Sequence, residues 1–255
     1  YLDINCGHCH SSTGGANSVT DKYVTAHIHY GNCVYIFGGR DLPYQTNTYY
    51  DDLWKYDIAN NTWTLITNAT GSPPPPQGYM GYTSHNDILY IVGGWGGSRS
   101  DSIWKYDVTN NHWTEIVNNF LGHDIDSTSV VYHGDNLYIF SGYNNSPNLD
   151  KLWKYDLISN TVSTGVSFNV TPRRHPTTVK VGSEMYIFGG YGTDNYLHDL
   201  ITLDLPNITT FETLEDINIV YTKNTTSSKN IVDEAGNAAE NFSSFAQSTE
   251  YKKNY

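Results

Sequence analysis

Short apolar runs separated by polar turns recur along most of this chain, and their period is that of strands rather than helices. One set of runs ends in a pair of small residues: Val34–Gly39, Leu89–Gly94, Leu137–Gly142 and Met185–Gly190. A second set follows each of these: Leu53–Asp57, Ile103–Asp107, Leu152–Asp156 and, with weaker similarity, Leu200–Asp204. Ahead of each small-pair run stands a two-residue turn, Gly31-Asn32, Asn86-Asp87, Gly134-Asp135 or Gly182-Ser183. Gly, Asn and Asp accept the positive φ of tight hairpins, so each turn predicts an antiparallel pair. The pairs are strand A (about 24–30, 79–85, 127–133, 175–181) and strand B (33–38, 88–93, 136–141, 184–189). Strand B is apolar on both faces, which suits a strand buried between two layers. Every segment from 23 to 214 is short, β-patterned and bounded by turns, so no helix is expected there.

Counting Gly38, Gly93, Ser141 and Gly189 gives spacings of 55, 48 and 48 residues. A fixed period near fifty built from β-strands indicates propeller blades. The small pair, the downstream Trp-x-Tyr and the spaced Trp make this stretch, from Tyr23 to Leu214, resemble the kelch repeat. The resemblance implies an all-β, kelch-type β-propeller with four recognisable four-stranded blades at 23–66, 77–117, 125–166 and 173–214. Residues 1–22 read as an irregular N-terminal segment and 215–255 as a polar, poorly ordered tail. Four blades are fewer than kelch-type propellers mostly use, so the chain is expected to form an open arc, completed by residues outside this sequence or by another chain.

Strand C carries Trp54/Tyr56, Trp104/Tyr106 and Trp153/Tyr155, each pair on one face by the period of two. Each buried ring removes about 150–250 Å² from water, so these six should anchor blade on blade. In the fourth repeat Ile201 and Leu203 replace them, and Phe211 is the nearest match to the strand D aromatics Trp63 and Trp113. The glycine pair is expected to let an aromatic of its own blade or the next approach the backbone.

The chain has 255 residues, 14% of them aromatic including 22 Tyr, and a formal charge of −12. That sign argues against a nucleic-acid surface or an anionic membrane surface as partner. No apolar run approaches the roughly 20 residues that span a bilayer. Seven Asn-x-Ser/Thr triplets occur, beginning at Asn60, Asn68, Asn144, Asn169, Asn207, Asn224 and Asn241. Random placement of 26 Asn among 48 Ser and Thr gives about five, so the compartment, extracellular or cytoplasmic, stays open. Cys6-x-x-Cys9 with His8 and His10 is half a zinc site lacking a second pair, and reads as a loop terminus. His27 and His29 share a strand face, but His85 and His133 recur where Tyr30 stands, which favours packing over metal. Pro73–Pro76 reads as a stiff connection between blades.

The residues just after each small pair, Arg40, Trp95, Tyr143 and Tyr191, open the B–C loops. Equivalent positions in successive blades share a face, and the D–A loops on that face add Gln77, Tyr79, Arg173, Arg174 and His175. Aromatic and Arg side chains dominate binding hot spots. The resemblance implies that this face carries a partner site. The function expected is a non-catalytic module binding a protein, or a glycan, with no metal and no cofactor. The alternatives are a fragment of a secreted propeller enzyme of the galactose-oxidase type, or a structural surface component. Cys33 lies in strand B without the surroundings a cross-linked Tyr–Cys copper site requires, and no nucleophile elbow, phosphate loop or His-Glu-x-x-His motif occurs.

Overall fold

The computed structural model describes residues 22–41, 48–145, 148–163, 165–167, 170–205 and 218–222. Nineteen strands and no helix occur among them. In chain order the first sheet takes β2 (Ala26–Tyr30), β3 (Cys33–Phe37), β5 (Leu53–Asp57) and β6 (Thr62–Ile66), while β1 (Lys22–Tyr23) pairs with β4 (Arg40–Asp41) beside it. The second sheet is β7 (Gly81–His85), β8 (Ile88–Val92), β9 (Ser102–Asp107) and β10 (His112–Asn118). The third is β11 (Ser129–His133), β12 (Asn136–Tyr143), β13 (Asn148–Asp156) and β14 (Thr161–Val162), with β15 (Val166–Ser167) also on β13. The fourth is β16 (Thr177–Val181), β17 (Glu184–Tyr191), β18 (Tyr196–Asp204) and β19 (Asn218–Thr222). Each sheet is an antiparallel meander in the order A-B-C-D, so the molecule is a four-bladed propeller arrangement.

Two boundaries differ from expectation. Strand A begins two residues late in every blade, because Val24, Tyr79, Ser127 and His175 all sit near φ +55° and break the extended chain. The outer strand of the fourth blade is β19, inside the segment assigned to the tail; the strand C residue Leu203 pairs with Ile219. Phe211 and the Cys6/Cys9 segment lie outside the described residues.

Three apolar layers join the sheets. Ile28, Tyr35, Phe37 and Leu53 of the first blade pack against Leu89, Ile91, Trp104, Tyr106 and Trp113 of the second. Tyr90, Val92 and Ile103 then meet Leu137, Ile139, Trp153 and Tyr155. Val131, Tyr138, Phe140 and Leu152 meet Met185, Ile187, Ile201 and Leu203. The strand C aromatics therefore sit where the alternation placed them, with Trp104 and Trp153 buried and Trp54 half-buried. Each Tyr of the set also closes the C–D turn of its own blade. The Tyr56, Tyr106 and Tyr155 hydroxyls donate to Oδ1 of Asn61, Asn111 and Asn160 at 2.7, 2.8 and 3.4 Å. Those Asn residues have φ of 52, 49 and 55°, the left-handed region that Asn tolerates.

At the glycine pair the close approach is made by backbone carbonyls and non-aromatic side chains, not by an aromatic ring. A Cβ on Gly93 would lie 2.3 Å from the Ile125 carbonyl oxygen, and one on Gly38 would lie 2.8 Å from that of Gln77. The second residue of the pair donates its N–H to the next blade's D–A loop: Gly39 to Gln77 O (2.8 Å), Gly94 to Ile125 O (2.9 Å) and Gly142 to Arg173 O (3.1 Å). Ser141 takes the first position in the third blade at φ 64°, with its hydroxyl bonded to the carbonyls of Leu149 and Arg173.

Candidate functional site

The residue after the small pair is clamped to the D–A loop of its own blade. Trp95 and Gly78 exchange both backbone hydrogen bonds, at 2.8 and 2.9 Å. Tyr143 and Asp126 do so at 2.9 and 3.2 Å, and Tyr191 and Arg174 at 2.8 and 3.0 Å. In the first blade Arg40 pairs with Tyr23. This bridge, repeated in four blades, brings the B–C and D–A loops out on one side.

There the structure forms an open cavity of about 300 Å³ lined by Arg40, Tyr49, Tyr79, Trp95, Arg99, Asp126, Ser127, Tyr143, Arg174 and His175. Six residues singled out from the sequence thus face a single cavity: Arg40, Tyr79, Trp95, Tyr143, Arg174 and His175. Tyr191 is not among the lining residues but stacks on the Arg174 guanidinium at 5.0 Å. Arg173 is a correction. It is wholly buried, donating to Asp199 at 2.7 and 2.8 Å, to the Gly189 carbonyl at 3.0 Å and to the Thr171 carbonyl at 3.0 Å. With both faces of its fork occupied inside the fourth blade, Arg173 holds the D–A loop in place and has nothing to offer a partner. Gln77 is buried as well, and its backbone serves the inter-blade clamp.

Arginine and aromatic side chains alternate along the cavity wall. Arg99 lies 4.8 Å from the Trp95 ring and 4.6 Å from Tyr143; Arg174 lies 4.8 Å from Tyr143 and 5.0 Å from Tyr191. Tyr191 packs edge-on to Tyr196, ring centroids 5.2 Å apart. Across the cavity Arg40 sits 5.4 Å from Tyr23 and 5.3 Å from Tyr49, and bonds the Tyr49 and Tyr79 hydroxyls at 3.4 and 3.5 Å. Stacking occupies the guanidinium faces and leaves the N–H edges as the chemistry on offer. Arg99 is committed internally, its Nε 2.5 Å from Asp126 Oδ2 and its Nη1 bonded to Asn145. Arg174 makes no side-chain hydrogen bond among the described residues.

Among the described residues, Asp126 is the sole carboxylate lining the cavity, against three guanidinium groups. Burial pushes its carboxyl above the usual range, opposed by the Ser127 hydroxyl, which donates at 2.5 Å, and by Arg99. His175 is packed on Tyr79 at 5.4 Å, with Nε2 3.1 Å from Ser127 Oγ. Burial, assisted by the Arg174 charge, lowers its pKa to about 4, so the ring is neutral at neutral pH. The cavity therefore carries a positive excess on a chain whose formal charge is −12.

Tyr49, Arg99, Asp126 and Ser127 were not singled out from the sequence. Asp126 and Ser127 stand at the repeat positions of Arg174 and His175, so extending the blade alignment finds them. Arg99 reaches the cavity because the second blade's B–C loop folds back, bridging Trp95 to Arg99. Loop length varies among the blades, and no repeat position signals that fold-back.

Outside the cavity, His27 and His85 pack against tyrosines of the next blade. His27 bonds the Tyr82 hydroxyl at 3.0 Å, and burial lowers its pKa. His85 stacks on Tyr132 at 4.0 Å with planes 9° apart. Among the described residues no group of three or more His, Cys, Asp or Glu side chains could hold a metal ion. Among them no helix is long and apolar enough to cross a membrane.

Comparison with known proteins agrees with the geometry. The family description KLHDC2/KLHL20/DRC7 Kelch-repeats domain matches residues 8–124, and the Kelch motif matches residues 127–169. The chain is similar to Kelch domain-containing protein 3 of Homo sapiens, 29% identical over 180 residues covering 63% of this chain and 45% of that protein. It is similarly related to the Bos taurus protein of the same name, at 28% identity and the same coverage. The chain thus spans about 45% of the length of these relatives.

Proposed function

The chain belongs to the kelch-repeat family, whose propellers generally serve as protein-interaction modules, and from that premise we propose that it is a non-catalytic module that takes an acidic segment of a partner protein into the cavity between its B–C and D–A loops. The observation that carries this reading is the convergence of Arg40, Arg99 and Arg174 on one cavity with a single carboxylate to offset them. The guanidinium faces are stacked, which orders the three side chains, and Arg174, with no side-chain hydrogen bond among the described residues, is held with its N–H edge presented, the geometry that binds a carboxylate through two parallel bonds. Ordering three long side chains before the partner arrives lowers the entropic cost of binding.

A neutral glycan is disfavoured by the same stacking. Sugars dock on the open faces of aromatic rings, and here Arg99 and Arg174 stack on Trp95, Tyr143 and Tyr191. An enzymatic reading gains no support in the cavity, since Ser127, whose hydroxyl has His175 beside it, donates its proton to Asp126.

The test compares a peptide library rich in Glu and Asp with its Gln/Asn counterpart, using the 255-residue chain and its Arg40→Ala and Arg174→Ala variants. A hydrogen bond to a charged group is worth roughly 1.5–3 kcal/mol, so either variant should weaken the acidic peptides about ten- to a hundredfold. Equal capture of both libraries, or unchanged affinity in both variants, would overturn the proposal.

A further inference from the structure

The backbone slot that Asp126 fills recurs in successive blades with different side chains. Gly78, Asp126 and Arg174 each exchange two backbone hydrogen bonds with the residue after the small pair, Trp95, Tyr143 and Tyr191 respectively. The bridge uses main-chain atoms, so the blade needs no carboxylate there: one slot lacks a side chain and another carries the opposite charge. Asp126 is nonetheless 6% exposed on the cavity wall. A buried carboxylate is costly unless it is paired and hydrogen-bonded. A costly charge that the bridge does not require has its explanation in the cavity.

The two carboxylate oxygens face different partners. Oδ1 accepts the Ser127 hydroxyl at 2.5 Å, and Oδ2 is ion-paired with Arg99 Nε at 2.5 Å. Arg99 is held on its other sides by Asn145, bonded to Nη1, and by the Trp95 and Tyr143 rings. The Tyr143 ring is shared, with Arg99 at 4.6 Å and Arg174 at 4.8 Å. Two guanidinium groups on one ring repel each other, and Asp126, whose carboxyl feels both charges, offsets them. With His175 neutral, the lining side chains carry three positive charges against one negative.

We propose that Asp126 is a specificity-determining residue of this cavity, an internal stand-in for a partner's carboxylate that keeps Arg99 occupied and limits how much negative charge the cavity accepts. The proposal rests on the reading that the cavity receives an acidic segment. Arg99 then orders the ring stack, and an incoming carboxylate is met by Arg174, with Arg40 across the cavity. Removing the Asp126 charge releases Arg99 for the partner and lifts the repulsion between like charges. Affinity should therefore rise, the reverse of what the loss of a merely structural residue produces. Asparagine fits the slot: its Oδ1 can face Arg99 while Nδ2–H donates to Ser127 Oγ, whose proton turns to His175 Nε2, 3.1 Å away.

The probe is a fluorescent tetraglutamate peptide blocked at both ends, titrated by anisotropy with the 255-residue chain and three variants. Asp126→Asn should bind it about five- to tenfold more tightly than the parent, the effect of one charge in a partly solvated site. Arg99→Gln leaves Asp126 unpaired against the probe and should weaken binding by a similar factor. The double variant Arg99→Gln/Asp126→Asn should recover most of that loss. All these differences should fade at about 1 M salt, where charges are screened within roughly 3 Å. An Asp126→Asn chain that binds no more tightly overturns the proposal, as does a double variant as weak as Arg99→Gln. Loss of the parent's circular dichroism in Asp126→Asn would show a carboxylate that the fold requires, and overturns it too. A parent that binds tetraglutamate no better than tetraglutamine removes the acidic-partner reading itself, a failure distinct from those of the variants.

Discussion

Replacing Asp199 by alanine would leave the Arg173 guanidinium inside the fourth blade with two of its four hydrogen bonds gone. Arg173 is 0% exposed, and its remaining partners, the carbonyls of Thr171 and Gly189, are neutral. Breaking a buried pair by removing one partner costs about 3–5 kcal/mol, since the surviving charge stays desolvated without compensation. Water reaching the space vacated by the carboxylate would bring Asp199→Ala toward the lower end of that range. The double variant Arg173→Met/Asp199→Leu removes both charges and keeps the volume apolar, so it should cost much less than Asp199→Ala alone. Equilibrium urea unfolding followed by circular dichroism measures all three chains. The cavity supplies a second readout: Arg173 precedes Arg174 and His175, so the double variant, though stable, should bind the acidic library more weakly. Asp199→Ala within about 1 kcal/mol of the parent would refute the reasoning, as would a double variant as unstable as the single one.

Trp104→Ala and Trp153→Ala should each lose about 3–5 kcal/mol on unfolding, and Trp54→Ala clearly less, because its ring is half-buried at an end blade; equal losses would contradict the burial order. Gly93→Ala should cost more than the roughly 1–3 kcal/mol of left-handed strain alone, since its new Cβ meets the Ile125 carbonyl, whereas Gly134→Asn, with no neighbour within 4 Å and a φ of 54°, should be close to neutral in the same assay. His175 titrates near 4 in the folded chain and near 6.5 when unfolded, so the unfolded state takes up the proton first and stability falls as pH drops from 6.5 to 4, levelling below that. The loss from this residue is roughly 3 kcal/mol, and His175→Gln should flatten the stability profile over that window; an unchanged profile would show that His175 is not the group responsible.

The fold was legible because each blade repeats a physical problem with the same residue types. Two-sided apolar strands, hairpin turns needing positive φ, and Trp-x-Tyr on one face each point to a sheet sandwiched between sheets, and the four sheets and their apolar layers follow. Phe211, matched to the strand D aromatics by spacing, lies outside the described residues, where Asn218–Thr222 forms the outer strand of the fourth blade within the stretch read as tail. The role of the glycine pair was misjudged. A sequence shows that a Cβ is absent, but not whether ring or carbonyl comes close.

The cavity was half legible. Repeat alignment brought Arg40, Trp95, Tyr143 and Arg174 to one rim, since equivalent positions share a face and the two-residue backbone bridge enforces it. Alignment alone could not separate Arg173 from Arg174. Adjacent residues of an extended segment point to opposite sides, so one arginine enters the blade to meet Asp199 and the other enters the cavity between Tyr143 and Tyr191. What decides between them is a carboxylate 26 residues downstream whose pairing depends on how β17 and β18 register. The same backbone positions therefore serve two ends. The left-handed residues that link blade to blade through backbone hydrogen bonds also tip Tyr79, Ser127 and His175 into the cavity, so inter-blade order and the binding surface rest on one set of dihedral angles. A substitution that relaxes one of these residues to extended geometry should weaken both, and a change confined to the arginines should weaken binding alone.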